Sequence, residues 1–149
     1  LDIQVFSIVL NVKEISMNYY LSTVLKNRKF DEVIDLVKSE LGKEGFGVPT
    51  EVDMQSIFSA KLGEDFRRYQ ILGACNPGYA KKAIESERNI GVLLPCSVVV
   101  QECDNGDIEV AAVDPLASMT SVGNSSVQEV ATEITRRLQR VIKNLGISE

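Results

Sequence analysis

Histidine and tryptophan are absent from this chain of 149 residues. Without histidine it cannot assemble a Ser-His-Asp or Cys-His catalytic group, a histidine-ligated zinc site or a histidine pH switch. Aromatic residues make up only 6% of the chain, and acidic residues outnumber basic ones by 21 to 16. Proteins that follow nucleic-acid phosphates are usually basic, and they often stack bases on aromatic rings. We therefore expect no nucleic-acid partner.

Cysteine is scarce, and long apolar runs are missing. Cys75, Cys96 and Cys103 form an odd set without Cys-x-x-Cys spacing. That pattern is typical neither of a disulfide framework nor of a structural zinc site. No run reaches the ~18 apolar residues of a membrane-spanning helix. We therefore expect a cytoplasmic protein with reduced cysteines, no membrane partner and no metal site, while any cofactor stays unknown.

The composition is that of an ordinary globular domain. Hydrophobic residues make up 44% and charged residues 25% of the chain, and one domain usually has ~100–200 residues. We predict a single domain over residues 19–149, preceded by an N-terminal extension over residues 1–18. For residues 1–16 we favour an added strand, because apolar residues alternate there. The other interpretation is upstream sequence before a start at Met17.

Two segments have the apolar spacing of amphipathic helices. The first covers residues 30–41 and is followed by glycines that act as stop signals. The second covers residues 127–145, and Ser126 with Glu129 fits a capping box at its start. Gly146 is expected to end this C-terminal helix.

Five segments have the β-branched, aromatic or alternating composition of strands. They cover residues 19–26, 46–53, 67–75, 96–103 and 107–113. The Asn-Gly pair at 105–106 predicts that the last two strands form an antiparallel hairpin. Short helices are expected over 54–62 and 77–87. The order predicts an α+β fold, β-α-β-β-β-β-α, with a curved antiparallel sheet of about five strands, short helical inserts and a long C-terminal helix.

The fourth predicted strand contains the run Val98, Val99 and Val100. Neighbouring residues of a strand point to opposite faces of a sheet, so this run indicates that both faces are at least partly buried. Helices on one face leave the other to helical inserts, to water or to a second subunit. A homodimer explains the burial, and we expect one.

The segment ILGACNP contains the main candidates for chemistry. Asn76 and Pro77 predict a helix start, with Asn as the N-cap and Pro as the first helical residue. Cys75 would then lie at a helix N-terminus, which favours a thiolate and lowers a cysteine pKa. Cys75 and Cys96 are therefore candidate catalytic residues; the alternative is that both are small buried core residues. Asn76 and Pro77 are candidate ligand-binding residues, because a helix start offers backbone N–H groups to an anion.

A second candidate group is acidic. Glu51 and Asp53 are expected on one face of the strand 46–53, opposite its apolar residues. Two carboxylates about 7 Å apart can bind a cation or transfer protons, and Lys61 could place a positive charge near them. The alternative is that Glu51 is solvated, Asp53 caps the next helix and Lys61 is an ordinary surface lysine. Pro49 predicts an edge strand or a bulge.

These segments together resemble the domain of unknown function 302 family, DUF302. The motifs that carry the resemblance are FGVPTEVDM, KLG, YQILGACNP, IGVLLPC and VAAVDP, and it runs from about residue 19 to residue 145. GACNP followed by LLPC is the specific central motif. The chain departs from the family pattern at Ser97, where Asn is common, and at Gly78. The family-typical positions that match are Glu51, Asp53, Lys61, Gly73, Cys75, Asn76, Pro77, Pro95 and Cys96.

The resemblance implies a fold similar to the TATA-binding-protein-like class, usually found as dimers. It implies no established activity, and DNA binding does not follow from the fold. The matching positions look like a pocket, because several are polar or reactive types that a core does not require.

Three hypotheses follow. The first is a cytoplasmic, homodimeric domain that binds a small ligand, anions included, in a pocket near ILGACNP and LLPC. The second is a thiol-dependent enzyme or redox protein in which Cys75 attacks and Cys96 resolves. The third is a structural oligomerisation module with no pocket near ILGACNP. Whether the protein is an enzyme stays open on the sequence.

Overall fold

The computed structural model describes residues 18–147. Residues 1–17 and 148–149 lie outside the described range, and with them the predicted N-terminal strand. The strands are β1 Tyr20–Leu25, β2 Gly47–Asp53, β3 Tyr69–Cys75, β4 Cys96–Glu102 and β5 Ile108–Val113. The helices are α1 Phe30–Lys43, α2 Met54–Leu62, α3 Pro77–Ser86, α4 Pro115–Ser118 and α5 Ser125–Ile147, with 3₁₀ turns at Ile90–Leu93 and Thr120–Val122.

The strands form one open sheet in the order β1-β5-β4-β3-β2, and each neighbouring pair is antiparallel. The predicted α+β class is therefore confirmed, with its five strands and long C-terminal helix. The predicted hairpin between β4 and β5 is also confirmed, since Val98 pairs with Ala112 and Glu102 with Ile108. Similarity to the TATA-binding-protein-like class stays a prediction.

Helices α1 and α5 cover one face of the sheet and enclose the core. Their apolar faces are fully buried, as Val33 and Leu138 show at 0% exposure. From the sheet, Leu72, Val98 and Val110 meet them and are also fully buried. Burial of apolar surface is the main favourable contribution to folding, so the spacing that predicted these helices also forms the core.

Strand β2 contains a bulge that the simple alternation did not predict. The pairing with β3 shifts register between Gly47 and Thr50, around Pro49, which cannot donate to a strand ladder. Before the shift Val48 packs on the core; after it Val52 pairs with Ile71 and is 38% exposed. The prediction of an edge strand or bulge at Pro49 is correct, but the apolar residues of β2 do not share one face.

The start of α5 also differs from the prediction. The side-chain oxygen of Asn124 accepts hydrogen bonds from the backbone N–H groups of Ser126 and Val127, at 3.0 and 3.3 Å. Asn124 is therefore the cap, and Ser126 lies inside the helix. Gly146 is also helical: a Cβ there would lie 3.0 Å from Thr23 Oγ1 of β1, so the glycine permits close packing of α5 on the first strand.

The sheet face away from α1 and α5 has few charged residues, with Glu109 lying beside its centre. Its central row, one residue from each strand, is Ser22, Ala111, Val99, Ile71 and Val52. These side chains are half-buried or exposed. We call this row and its neighbours the open sheet face. No helix within residues 18–147 has the length and apolar character needed to cross a membrane.

Candidate functional site

An apolar cavity of about 310 Å³ lies between one end of the sheet, helix α3 and helix α5. Its inner wall consists of buried residues: Phe46, Ala74, Ala83, Cys96, Pro115, Met119, Ala131 and Ile134. We define the mouth of the cavity as its exposed lining residues: Pro49, Thr50, Ile84, Gly91 and Pro95. The ILGACNP and LLPC segments both contribute lining residues. That the cavity binds a ligand stays a prediction.

The cavity exists because small residues face one another across it. Ala80 and Ala83 lie three positions apart on α3 and so share one face of the helix. Ala131 lines the opposite wall from α5, and Ala74 lines it from β3. Side chains in ordinary cores interdigitate with few voids. Four alanines where larger residues would fill the gap therefore leave space that the fold itself does not use.

Gly73 allows two neighbouring segments to close over strand β3. A Cβ at this position would overlap Thr50 Oγ1 and would lie 2.7 Å from Pro95 Cγ. Both residues belong to the mouth of the cavity. The absent side chain of Gly73 thus leaves room for the Thr50 side chain and the Pro95 ring to pack over β3 beside the cavity.

The structure brings Cys75 and Cys96 to the same cavity. Ala74 pairs with Cys96 across the β3–β4 ladder, and Cys75 follows directly. Both thiols are free. Cys96 is 6% exposed, and burial raises its thiol pKa from an ordinary value of 9.0 to about 11, with a smaller contribution from the neighbouring Cys75. At neutral pH Cys96 is therefore a thiol rather than a thiolate nucleophile.

The helix start at Asn76 and Pro77 is formed as predicted, with Pro77 as the first residue of α3. The Asn76 side chain does not cap the helix; its Nδ2 donates to the Glu44 carbonyl at 3.2 Å. Arg137 Nη1 donates to the same carbonyl at 2.9 Å. Asn76 lines the cavity, but its amide nitrogen holds the turn after α1. Pro77 is exposed and is not among the lining residues.

The acidic candidates lie outside the cavity. Glu51 pairs with Lys38 of α1 at 2.7 Å and accepts a hydrogen bond from Gln70 at 3.3 Å. Asp53 caps α2: its carboxylate accepts hydrogen bonds from the backbone N–H and the hydroxyl of Ser56, at 3.1 and 2.9 Å. The backbone hydrogen bond is the main reason why the pKa of Asp53 is lowered.

The geometry therefore favours the alternative for this group, in which Asp53 is a helix cap. Lys61 is exposed on α2 and does not line the cavity. Within the described residues, no three histidine, cysteine or acidic side chains come together to hold a metal ion.

Sequence reasoning missed most of the cavity wall. Tyr79, Ala83, Met119 and Ala131 contribute to it, but none was predicted as a site residue. The only local signal was the spacing of Ala80 and Ala83 on one face of α3. Which helix this face meets depends on the tertiary fold, so the signal could not be interpreted from the chain alone.

The comparisons with known proteins agree with the fold. Residues 21–145 match the model of the family described as Domain of unknown function DUF302. A crystal structure of an uncharacterized conserved DUF302 protein from Bacillus stearothermophilus is similar, with a TM-score of 0.77 and 25% sequence identity. The similar region covers 85% of this chain and 98% of that chain. No curated protein matches.

Proposed function

This chain belongs to the DUF302 family, and from that premise we propose that it is a small-molecule-binding domain whose site is the cavity between the sheet, α3 and α5. The observation that carries the proposal is the cavity itself. It has a volume of about 310 Å³, at the lower end of the roughly 300–1,000 Å³ of ligand pockets. Part of its wall comes from segments that carry the family resemblance.

We also propose that the protein acts as a cytoplasmic homodimer joined through the open sheet face. Three free cysteines support a reducing compartment. The central row of the open sheet face is uncharged, and it includes Val52 at 38% exposure. Burying such a row against a second copy removes apolar surface from water.

Binding of a small neutral aromatic compound, 1-naphthol, tests the proposed cavity. We expect saturable binding by isothermal titration calorimetry. Ala83→Phe places a ring in the cavity and should weaken binding tenfold or more. Ala80→Phe, at a half-buried position, is a second filling variant for the case in which Ala83→Phe does not fold. Ala60→Phe on exposed α2 is the matched control and should leave binding unchanged. Absence of saturable binding to the folded wild-type protein would overturn the proposal.

A thiol-dependent function is the second candidate, because Cys75 and Cys96 line the same cavity. In that mechanism Cys75 attacks a disulfide of the substrate. One half of the substrate leaves as a thiol, and Cys96 then displaces the other half from the mixed disulfide. The substrate disulfide is reduced while the two cysteines are oxidised to a disulfide. The raised pKa of Cys96 argues for Cys75 as the first nucleophile.

The rate of alkylation of Cys75 against pH separates the two candidates. A midpoint below ~7 would support thiol chemistry, whereas a midpoint near ~8.5, or no reaction in the native protein, would leave a binding role. Iodoacetamide labelling followed by mass spectrometry of peptides assigns the site. The measurement is made in a Cys103→Ser protein, which lacks the third thiol. In that protein Cys75→Ser should remove the alkylation that has the low pH midpoint.

A further inference from the structure

We propose that the cavity selects an uncharged ligand, made of a hydrocarbon part of about a dozen non-hydrogen atoms and one hydrogen-bonding group, and that it rejects anions. This inference rests on the proposed function and specifies its ligand. It departs from the expectation that anions are among the ligands. The reasons are the charge, the size and the distribution of polar groups in the cavity.

None of the residues that line the cavity is charged. An anion that enters would lose its hydration without gaining a cationic partner, which is strongly unfavourable. Two basic side chains, Arg137 and Lys82, lie over the ring of the lining residue Tyr79, at 5.1 and 5.2 Å. Arg137 Nη1 also donates to the Glu44 carbonyl at 2.9 Å, and Lys82 is exposed to water. Neither side chain lines the cavity.

The start of α3 does not supply an anion site either. Pro77 has no N–H group to donate, and the following residue, Gly78, is exposed and does not line the cavity. The Asn76 amide nitrogen donates to the Glu44 carbonyl. A helix N-terminus binds anions through its free N–H groups. Here the Gly78 N–H lies outside the cavity lining, and only the N–H of Tyr79 belongs to a lining residue. One N–H group without a cationic side chain in the lining does not offset the lost hydration of an anion.

The volume sets the size of the ligand. An apolar protein cavity of roughly 150 Å³ holds benzene, which gives about 25 Å³ for each carbon atom. On that scale the 310 Å³ of this cavity accommodate about a dozen non-hydrogen atoms. The inner wall is closed by buried residues such as Ala83, Met119 and Ala131, so a longer chain would have to extend through the mouth into water.

The polar groups lie where the cavity opens. Thr50 is exposed, and Asn76 and Tyr79 are half-buried, whereas the buried lining residues are alanine, cysteine, isoleucine, methionine, phenylalanine and proline. A ligand that fits this distribution places its hydrocarbon part against the inner wall and a single hydroxyl, carbonyl or amide group at the mouth.

Matched series of 1-alkanols and alkanoates from six to fourteen carbons test the inference by displacement of 1-naphthol at pH 7.5. For the alkanols we expect affinity to rise about fourfold with each methylene group, and to level off at about ten to twelve carbons. The alkanoate of the same length should bind at least tenfold more weakly, and its affinity should rise as the pH falls toward its own pKa. Val99→Lys, which alters the open sheet face, should leave these affinities unchanged.

The outcomes distinguish the inference from the function on which it rests. Binding of alkanoates as tightly as alkanols would overturn the selection against anions, while the cavity would remain a binding site. Alkanol affinities that do not level off with chain length, or alkanols that do not displace 1-naphthol, would overturn the inferred size and shape of the ligand. Failure of 1-naphthol itself to bind would overturn the proposed function.

Discussion

Gly73 has no room for a side chain. A Cβ would overlap Thr50 Oγ1 and lie 2.7 Å from Pro95 Cγ, so both side chains would have to shift. We predict that Gly73→Ala lowers the free energy of unfolding by about 1–3 kcal/mol, as expected for an overpacked core. Urea denaturation followed by circular dichroism measures the change.

Gly42→Ala is the matched control for this prediction. Gly42 lies in α1, and a Cβ there would have no neighbour within 4 Å. Since alanine favours helix more than glycine does, stability should be unchanged or raised by up to about 1 kcal/mol. Equal denaturation midpoints for Gly73→Ala and the wild type would show that the contacts at Gly73 are readily relieved.

The buried thiol of Cys96 makes stability depend on pH in the alkaline range. Its pKa is about 11 in the folded protein, against an ordinary value of 9.0. Between these values the unfolded chain loses the proton while the folded protein keeps it, so the unfolded state binds fewer protons and stability falls as pH rises. From pH 8 to pH 10.5 the wild type should lose about 2 kcal/mol more than Cys96→Ala.

This difference between the two proteins is measured by urea denaturation at both pH values. Groups other than Cys96 titrate in both proteins, so their contributions cancel in the comparison. A Cys96→Ala protein that loses as much stability as the wild type would show that Cys96 is not the cause.

At the scale of elements, the cap of α5 gives a sharp test. Asn124 accepts two backbone hydrogen bonds at the helix start and donates one to the Ser86 carbonyl at 3.0 Å. We predict that Asn124→Ala costs about 1 kcal/mol of stability, seen as a lower denaturation midpoint. Ser126→Ala, which the capping-box pattern would make equally costly, should change stability by less than about 0.5 kcal/mol. A larger loss of stability for Ser126→Ala than for Asn124→Ala would show that Ser126 is the cap.

Sequence periodicity predicted the long elements well and their ends less well. Helices α1 and α5 follow from apolar spacing, because only one face of each can be buried. The start of α5 was ambiguous, since Asn124 and Ser126 are both good capping residues two positions apart. In β2 the bulge near Pro49 reversed the faces of later residues. A bulge shifts alternation by one residue, and the residue pattern alone does not give its position.

At the scale of the molecule, the open sheet face governs assembly in our proposal. Val99 lies in its centre and is half-buried in the single chain. We predict a dimer for the wild type and a monomer for Val99→Lys, because a lysine there would bury its charge in the interface. Size-exclusion chromatography with light scattering measures the mass.

Val92→Lys is the control for the assembly experiment. Val92 is 85% exposed on the 3₁₀ turn, away from the open sheet face, so this variant should remain dimeric. Thermal unfolding of both variants confirms that they are folded. A monomeric wild-type protein at micromolar concentration would contradict the proposed homodimer.

The candidate site was only partly predictable. The motif ILGACNP directed attention to this end of the sheet, because a cysteine precedes a favoured N-cap and a proline there. The apolar character of the cavity was not predictable, since its lining residues come from seven separate elements that the fold brings together. The predicted carboxylates of Glu51 and Asp53 lie in the same strand as two residues of the mouth, yet they are used in an ion pair and a helix cap. Closeness in sequence to the mouth residues therefore did not place these two carboxylates in the cavity.

The Glu44 carbonyl accepts hydrogen bonds from both Asn76 and Arg137. It therefore ties the turn after α1, the beginning of α3 and the middle of α5 together at one side of the cavity mouth. That side resists displacement, because moving it breaks two hydrogen bonds at once. Entry of a bulky ligand would then depend on the other side of the mouth, which is formed by Ile84 near the end of α3 and by Gly91. One side of the mouth is held by hydrogen bonds, and the other side would have to move.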